Sequence, residues 1–211
     1  MRKTIGIFGG TFDPIHIGHL RMALELKQQL GLDEMRLLPC HKPPHRDAPQ
    51  VSSAQRADML RIALKACPEL QLDERELARD KPSYTFDTLQ DFRKELGADV
   101  SLVLCMGEDA FAGLSSWHRW QELIQFAHIV VIARPGWTLP QTGEVRDLIN
   151  LHAGKADALT QQPTGSIVLQ SLRLLPISAT EIRQQISAGH SAQFLVPEGV
   201  WDYIKANQLY R

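Results

Sequence analysis

Residues 5–20, IGIFGGTFDPIHIGHL, set three glycines (Gly9, Gly10, Gly18) and two histidines (His16, His19) between an apolar run and a run of helical spacing. If the apolar run is a buried strand and the helix begins near Gly18, this turn lies at the carboxyl edge of a parallel strand, where open α/β sheets bind ligands. Gly9 and Gly10 let the backbone approach a ligand with no Cβ in the way. The helix start offers backbone N–H groups and a partial positive charge, which suit an anion. Two familiar phosphate motifs do not fit. A dinucleotide fingerprint needs G-x-G-x-x-G, whereas this stretch reads G-x-x-G-G, and no G-x-x-x-x-G-K-[ST] run occurs.

Outward from that turn, short apolar runs predict strands at 4–8, 34–40, 70–74, 101–106, 128–133 and 166–172. Between them, 19–31, 52–67 and 84–97 carry helical periodicity; the second opens on a serine cap, and the first and third close on glycine. Strands alternating with helices of this length predict an α/β, Rossmann-like, doubly wound parallel sheet. A single domain over 1–211 is expected, with a small helical C-terminal piece at 196–211 that packs and carries no chemistry. The stretches 39–51 and 133–144 are rich in proline and read as loops, and loops of this length are more often functional than idle.

Composition narrows the function classes. Hydrophobic residues at 44% and charged residues at 22% suit a globular fold. A formal net charge of −1 gives no bulk attraction for nucleic acid or an anionic membrane, so a phosphate site has to be built locally. No basic, aromatic stripe suggests RNA binding. Three scattered cysteines outside any C-x-x-C spacing suit a reducing compartment. With no signal-like start and no apolar run near the roughly 20 residues of a membrane span, the expectation is a cytoplasmic protein. The apolar C-terminal segment offers a surface for self-association.

His16 and His19, three residues apart at a helix start, should present their imidazoles to one side. A helix cap, a core histidine or a zinc pair are the plainer readings, but zinc needs three or four ligands and no further His or Cys is suitably spaced. Near the other end, ISATEIR (177–183) reads as a capping box, Ser178 to Glu181, with Arg183 following on the first turn. A guanidinium beside a helix N-terminus can clamp phosphate.

GGTFDPIHIGHL with ISATEIR resembles the paired H-x-G-H and [ST]-x-x-R signatures of the nucleotidylyltransferase superfamily. The resemblance implies an ATP site of Gly9, Gly10, Thr11, Phe12, His16, His19, Gly107, Asp109, Arg134, Ile177, Ser178, Thr180 and Arg183. Within it, His16, His19 and Arg183 would stabilise charge during in-line attack on the α-phosphorus. Mg²⁺ would arrive with ATP, and no protein-held metal is expected.

Three further stretches point to the acceptor. PPHR (43–46), with Lys42 before it, puts His45 and Arg46 on a rigid basic loop. KPSYTFDT (81–88) sets Ser83, Tyr84 and Thr85 at a helix start, where amides can receive a carboxylate. GEDAFAGLSSWHRW (107–120) brings Trp117 into a loop able to stack on an aromatic ring. Each also has a plainer role: a solvated loop, an N-cap and a core indole. Together they resemble the bacterial nicotinate mononucleotide adenylyltransferase family across essentially the whole chain. That likeness implies nicotinate mononucleotide as acceptor and nicotinate adenine dinucleotide and pyrophosphate as products, within NAD biosynthesis. One departure stands at Cys40, where the family usually has asparagine; a thiol is the weaker hydrogen-bonding group. Another phosphate acceptor (nicotinamide mononucleotide or phosphopantetheine) and a non-catalytic nucleotide sensor remain as alternatives.

Overall fold

A computed structural model describes residues 2–42, 48–133, 138 and 140–211. Six strands, β1 (Thr4–Gly10), β2 (Glu34–Pro39), β3 (Leu70–Leu72), β4 (Ser101–Gly107), β5 (His128–Ala133) and β6 (Ile167–Ser171), form one sheet in the order β3-β2-β1-β4-β5-β6. That order is the Rossmann arrangement, in which the connections reverse direction on either side of β1. β1 pairs with β4, β4 with β5 and β5 with β6, all in parallel, with Thr4 opposite Ser101, Val103 opposite His128 and Ile129 opposite Ile167. All six expected strands form, within a few residues of their predicted ends.

Helices α1 (Ile17–Gln29), α2 (Ser53–Leu64) and α3 (Thr85–Leu96) occupy the three periodic stretches. Ser52 caps α2 with a complete capping box: its side chain accepts from the Gln55 N–H while the Gln55 side chain returns to the Ser52 N–H. Four short helices were not expected: α4 (Glu108–Ala112), α5 (Leu123–Phe126), α6 (Glu144–His152) and α7 (Ala158–Gln161). Each is at most nine residues long, too short for a periodic stripe to stand out. α8 (Ala179–Ser187) and α9 (Glu198–Ala206) complete the chain. Among the described residues no helix is long and apolar enough to cross a membrane.

The chain resolves into two compact units, each assembled from several segments. The first comprises Met1–Phe8, Leu26–Met35 and Tyr84–Arg173. Its core is the continuous apolar run of β4 and β5, with Leu102, Val103, Ile129, Val130 and Val131 fully buried, as expected for strands covered on both faces. Gly6 is closely packed here: a Cβ would lie 2.8 Å from both Leu32 and Met35 side-chain atoms, which would have to shift to admit it. Arg93 staples this unit: its guanidinium donates to the carbonyls of Phe126 (2.6 and 2.8 Å), Val100 (2.7 Å) and Pro163 (2.9 Å). Cys105 is buried in β4, where loss of solvent pushes its thiol up to about 12.

The second unit comprises Gly9–Glu25, Arg36–Ser83 and Leu174–Arg211. α9 seats on α2 so closely that a Cβ at Gly199 would lie 2.8 Å from Ile62, and the Tyr203 hydroxyl donates to Asp58 at 3.1 Å. The glycine and histidine turn and the second arginine motif both belong to this unit.

Candidate active site

Gly9 and Gly10 end β1, and they do different work. A Cβ on Gly9 would meet nothing within 4 Å, whereas one on Gly10 would lie 2.9 Å from the Phe12 ring. Gly9 therefore leaves open space beside the turn, and Gly10 makes room for Phe12. Phe12 itself is buried with φ of 50°, a left-handed conformation uncommon for an aromatic residue. Its ring meets His19 edge-on at 5.1 Å.

His16 sits just before α1 and acts as its N-cap. Its ring Nδ1 accepts from the His19 N–H at 3.3 Å, and its carbonyl accepts from the same N–H at 3.0 Å. Because Nδ1 accepts, the proton of the neutral ring resides on Nε2, which leaves Nε2–H as a donor. Burial, with 4% of the residue exposed, lowers His16 from 6.5 to about 4, so the ring is neutral at pH 7. The two imidazoles stack with centroids 3.6 Å apart and planes 25° apart, on one side as their spacing predicts.

Gly18, unlike Gly9, accommodates protein rather than open space. A Cβ there would sit 3.0 and 3.1 Å from the His16 ring and 3.6 Å from Ile177. Nor is the start of α1 rich in spare amides: Ile17 donates to the Leu195 carbonyl at 2.9 Å, and His19 is taken up by His16. Among the described residues, the Gly18 N–H has no protein acceptor and is what this helix start offers an anion.

α8 supplies the rest. Ser178 caps it, accepting from the Glu181 N–H at 3.2 Å, so the Ser178 half of the expected box forms. The Ala179 and Thr180 N–H groups have no protein acceptor among the described residues. Arg183 turns back from the first turn of α8 and donates to the Asp13 carbonyl at 2.8 Å, linking segments 170 residues apart in sequence. Its Nε is buried without a protein partner among the described residues. One guanidinium, two stacked imidazoles and three backbone N–H groups thus belong to one constellation of the second unit. In a chain of net charge −1, that is a local concentration of donors.

Three residues beyond those expected hold this turn. Asp13 is 5% exposed; its carboxylate accepts from the Tyr210 hydroxyl at 2.7 Å and from the Gln50 N–H at 2.9 Å. Arg56, fully buried, donates to the Thr11 carbonyl at 2.6 Å, the Ser53 hydroxyl at 3.1 Å and the His41 carbonyl at 3.3 Å. Burial lowers its guanidinium, opposed in part by the nearby Asp13 carboxylate. Asp13 lay inside the decisive motif; Arg56 and Tyr210 carried no local signal. At Cys40, the departure from asparagine leaves a main-chain link intact, since the Cys40 N–H donates to the Gly10 carbonyl at 3.0 Å.

The residues expected around the acceptor are divided between the units. In the second, Ser83 and the residues before PPHR are laced together: the Ser83 hydroxyl accepts from the His41 N–H at 3.0 Å, and the Ser83 N–H donates to the Lys42 carbonyl at 3.1 Å. Lys42 pairs with Asp80 at 2.9 Å, an exposed ion pair of small strength that a stronger anion can displace. In the first, Thr85 opens α3, Tyr84 precedes it without a side-chain cap, and Tyr84 lies 4.7 Å from the His118 ring. Arg119 adopts a left-handed backbone and lays its guanidinium 3.7 Å over Phe86. Trp117 is half-buried beside them in sequence rather than a core indole. Gly107 ends β4 and Asp109 is exposed in α4. His45, Arg46 and Arg134 lie outside the described residues.

Comparisons with known proteins bear on the family and the fold. The cytidylyltransferase-like family model matches residues 7–185. The probable nicotinate-nucleotide adenylyltransferase of Cellvibrio japonicus is 64% identical over 211 residues, covering 100% of both chains. That of Pseudomonas putida (strain W619) is 50% identical over 209 residues, covering 99% of this chain and 95% of the relative. Among solved structures, the Plasmodium falciparum nicotinic acid mononucleotide adenylyltransferase complexed with NaAD superposes with a TM-score of 0.75 at 18% identity. It covers 99% of this chain and 98% of its own, a likeness of fold.

Proposed function

The chain belongs to the cytidylyltransferase-like family, and from that premise we propose that it transfers AMP from ATP to nicotinate mononucleotide in NAD biosynthesis. The products are nicotinate adenine dinucleotide and pyrophosphate. The observation that carries this reading is 64% identity along the whole chain to the probable nicotinate-nucleotide adenylyltransferase of Cellvibrio japonicus. The Arg183 to Asp13 contact beside the stacked histidines supports the site.

Chemically, an oxygen of the mononucleotide phosphate bonds to the α-phosphorus of ATP as the bond to the bridging oxygen of pyrophosphate breaks. The electron pair leaves with pyrophosphate, and no proton must move. What the site has to provide is alignment and relief of charge on the phosphate oxygens. His16 does this as a neutral Nε2–H donor, His19 through the ring stacked on it, and Arg183 as the fixed cation. The Gly18, Ala179 and Thr180 amides add donors, each worth about 10²-fold in rate where charge develops. Magnesium enters as part of the MgATP substrate, held by phosphates and water.

For the acceptor, the uncapped amides at the start of α3, at Thr85, receive the nicotinate carboxylate, with Trp117 stacking on the ring. Ser83 and Lys42 serve the loop toward the mononucleotide phosphate, together with His45 and Arg46. Gly107, Asp109 and Arg134 serve the adenosine. Parallel measurement of kcat/KM with nicotinate and nicotinamide mononucleotides tests the assignment. The acid form is expected to be preferred by at least about tenfold, equivalent to 1.4 kcal/mol of discrimination. Equal or better turnover of the amide refutes it.

A further inference from the structure

We infer that Tyr210 is a positioning residue for nucleotidyl transfer, acting through Asp13 to fix the Arg183 guanidinium. Tyr210 lies in the segment after α9, which the sequence reads as packing alone. Its ring is buried, with 7% of the residue exposed, and its backbone is left-handed with φ of 65°. The hydroxyl donates to Asp13 Oδ1 at 2.7 Å, a bond between residues 197 apart. Burial, reinforced by the Asp13 charge and hydrogen bond, pushes the phenol well above its ordinary range, so it stays a donor. The other carboxylate oxygen accepts from Gln50 N–H, and the Asp13 carbonyl accepts from Arg183.

Asp13 is therefore gripped at both oxygens by distant segments, and its carbonyl aims the cation. Remove the hydroxyl and a buried carboxylate oxygen loses a charge-assisted partner. The peptide carrying the Arg183 acceptor can then shift. Displacing a group that acts on the transition state lowers kcat more than it weakens substrate binding. A residue that only stabilises the fold would lower the melting temperature and leave kcat alone.

This rests on the reading of Arg183 as the charge-stabilising cation, so the test is a double-mutant cycle. Tyr210→Phe, Arg183→Ala and the double variant are compared for kcat, for KM of ATP and of nicotinate mononucleotide, and for melting temperature. Tyr210→Phe is expected to lower kcat about tenfold with both KM values within about twofold. In the Arg183→Ala background it should lower kcat less than about twofold, since its target is gone. Asp13→Asn, which keeps the side-chain shape, gives the same pattern and serves if Tyr210→Phe folds poorly. Unchanged kcat in Tyr210→Phe, or an equal loss in both backgrounds, overturns the inference while leaving Arg183 in place. Unchanged kcat in Arg183→Ala overturns both readings.

Discussion

Acid should destabilise this protein through His16 in a window set by its burial. The folded ring titrates near 4 and the unfolded one near 6.5. Above 6.5 both states hold it neutral and stability is intact. Between 6.5 and about 4 the unfolded chain takes up a proton that the native ring refuses, so stability falls as pH falls, and the loss is complete near 4. At roughly 1.4 kcal/mol per pH unit, that gap is worth about 3 kcal/mol. His16→Asn isolates the effect: asparagine still accepts the His19 N–H as an N-cap but does not titrate. Urea unfolding followed by tryptophan fluorescence at pH 7 and pH 4 measures it. With a denaturant slope of about 3 kcal/mol per molar, the wild-type midpoint should fall about 1 M further than that of His16→Asn between these pH values. Parallel midpoints would mean that His16 is protonated freely in the folded state. Its role as a buried neutral donor would then be wrong.

Two other outcomes follow from the same turn. Arg56→Met, which keeps the bulk but strips donors from the Thr11 and His41 carbonyls and the Ser53 hydroxyl, should cost about 3 kcal/mol; a loss under about 1 kcal/mol in chemical denaturation would show the guanidinium to be dispensable. Gly18→Ala should lower kcat at least about tenfold with little change in melting temperature, because the new methyl presses the His16 ring off its stack on His19; steady-state kinetics at wild-type rate would contradict the close packing there.

The sheet was legible because its strands are short, nearly unbroken apolar runs such as SLVLCM and HIVVIA, and burial on both faces demands that composition. α6 was not, since it follows a proline-rich stretch and spans only nine residues. His16 and His19 could be placed on one side because helical spacing is local geometry. What Gly18 accommodates could not, because the His16 ring folds back on it only once the N-cap forms. Arg56 reads as one polar position in an amphipathic helix, and nothing nearby says it is fully buried against Thr11 and His41. The partner of Tyr210 lies 197 residues away, a distance that no periodicity spans.

The Leu195 carbonyl, which occupies the first amide of α1, bears on transplantation. Grafting GGTFDPIHIGHL onto another strand–helix junction would carry over imidazoles and glycines but not the distant carbonyl, carboxylate grip and guanidinium that shape them. Such a chimera should bind triphosphate poorly, for the motif borrows its form from partners 37 to 197 residues downstream. Recombination within this scaffold is best judged by whether those donors and acceptors travel together.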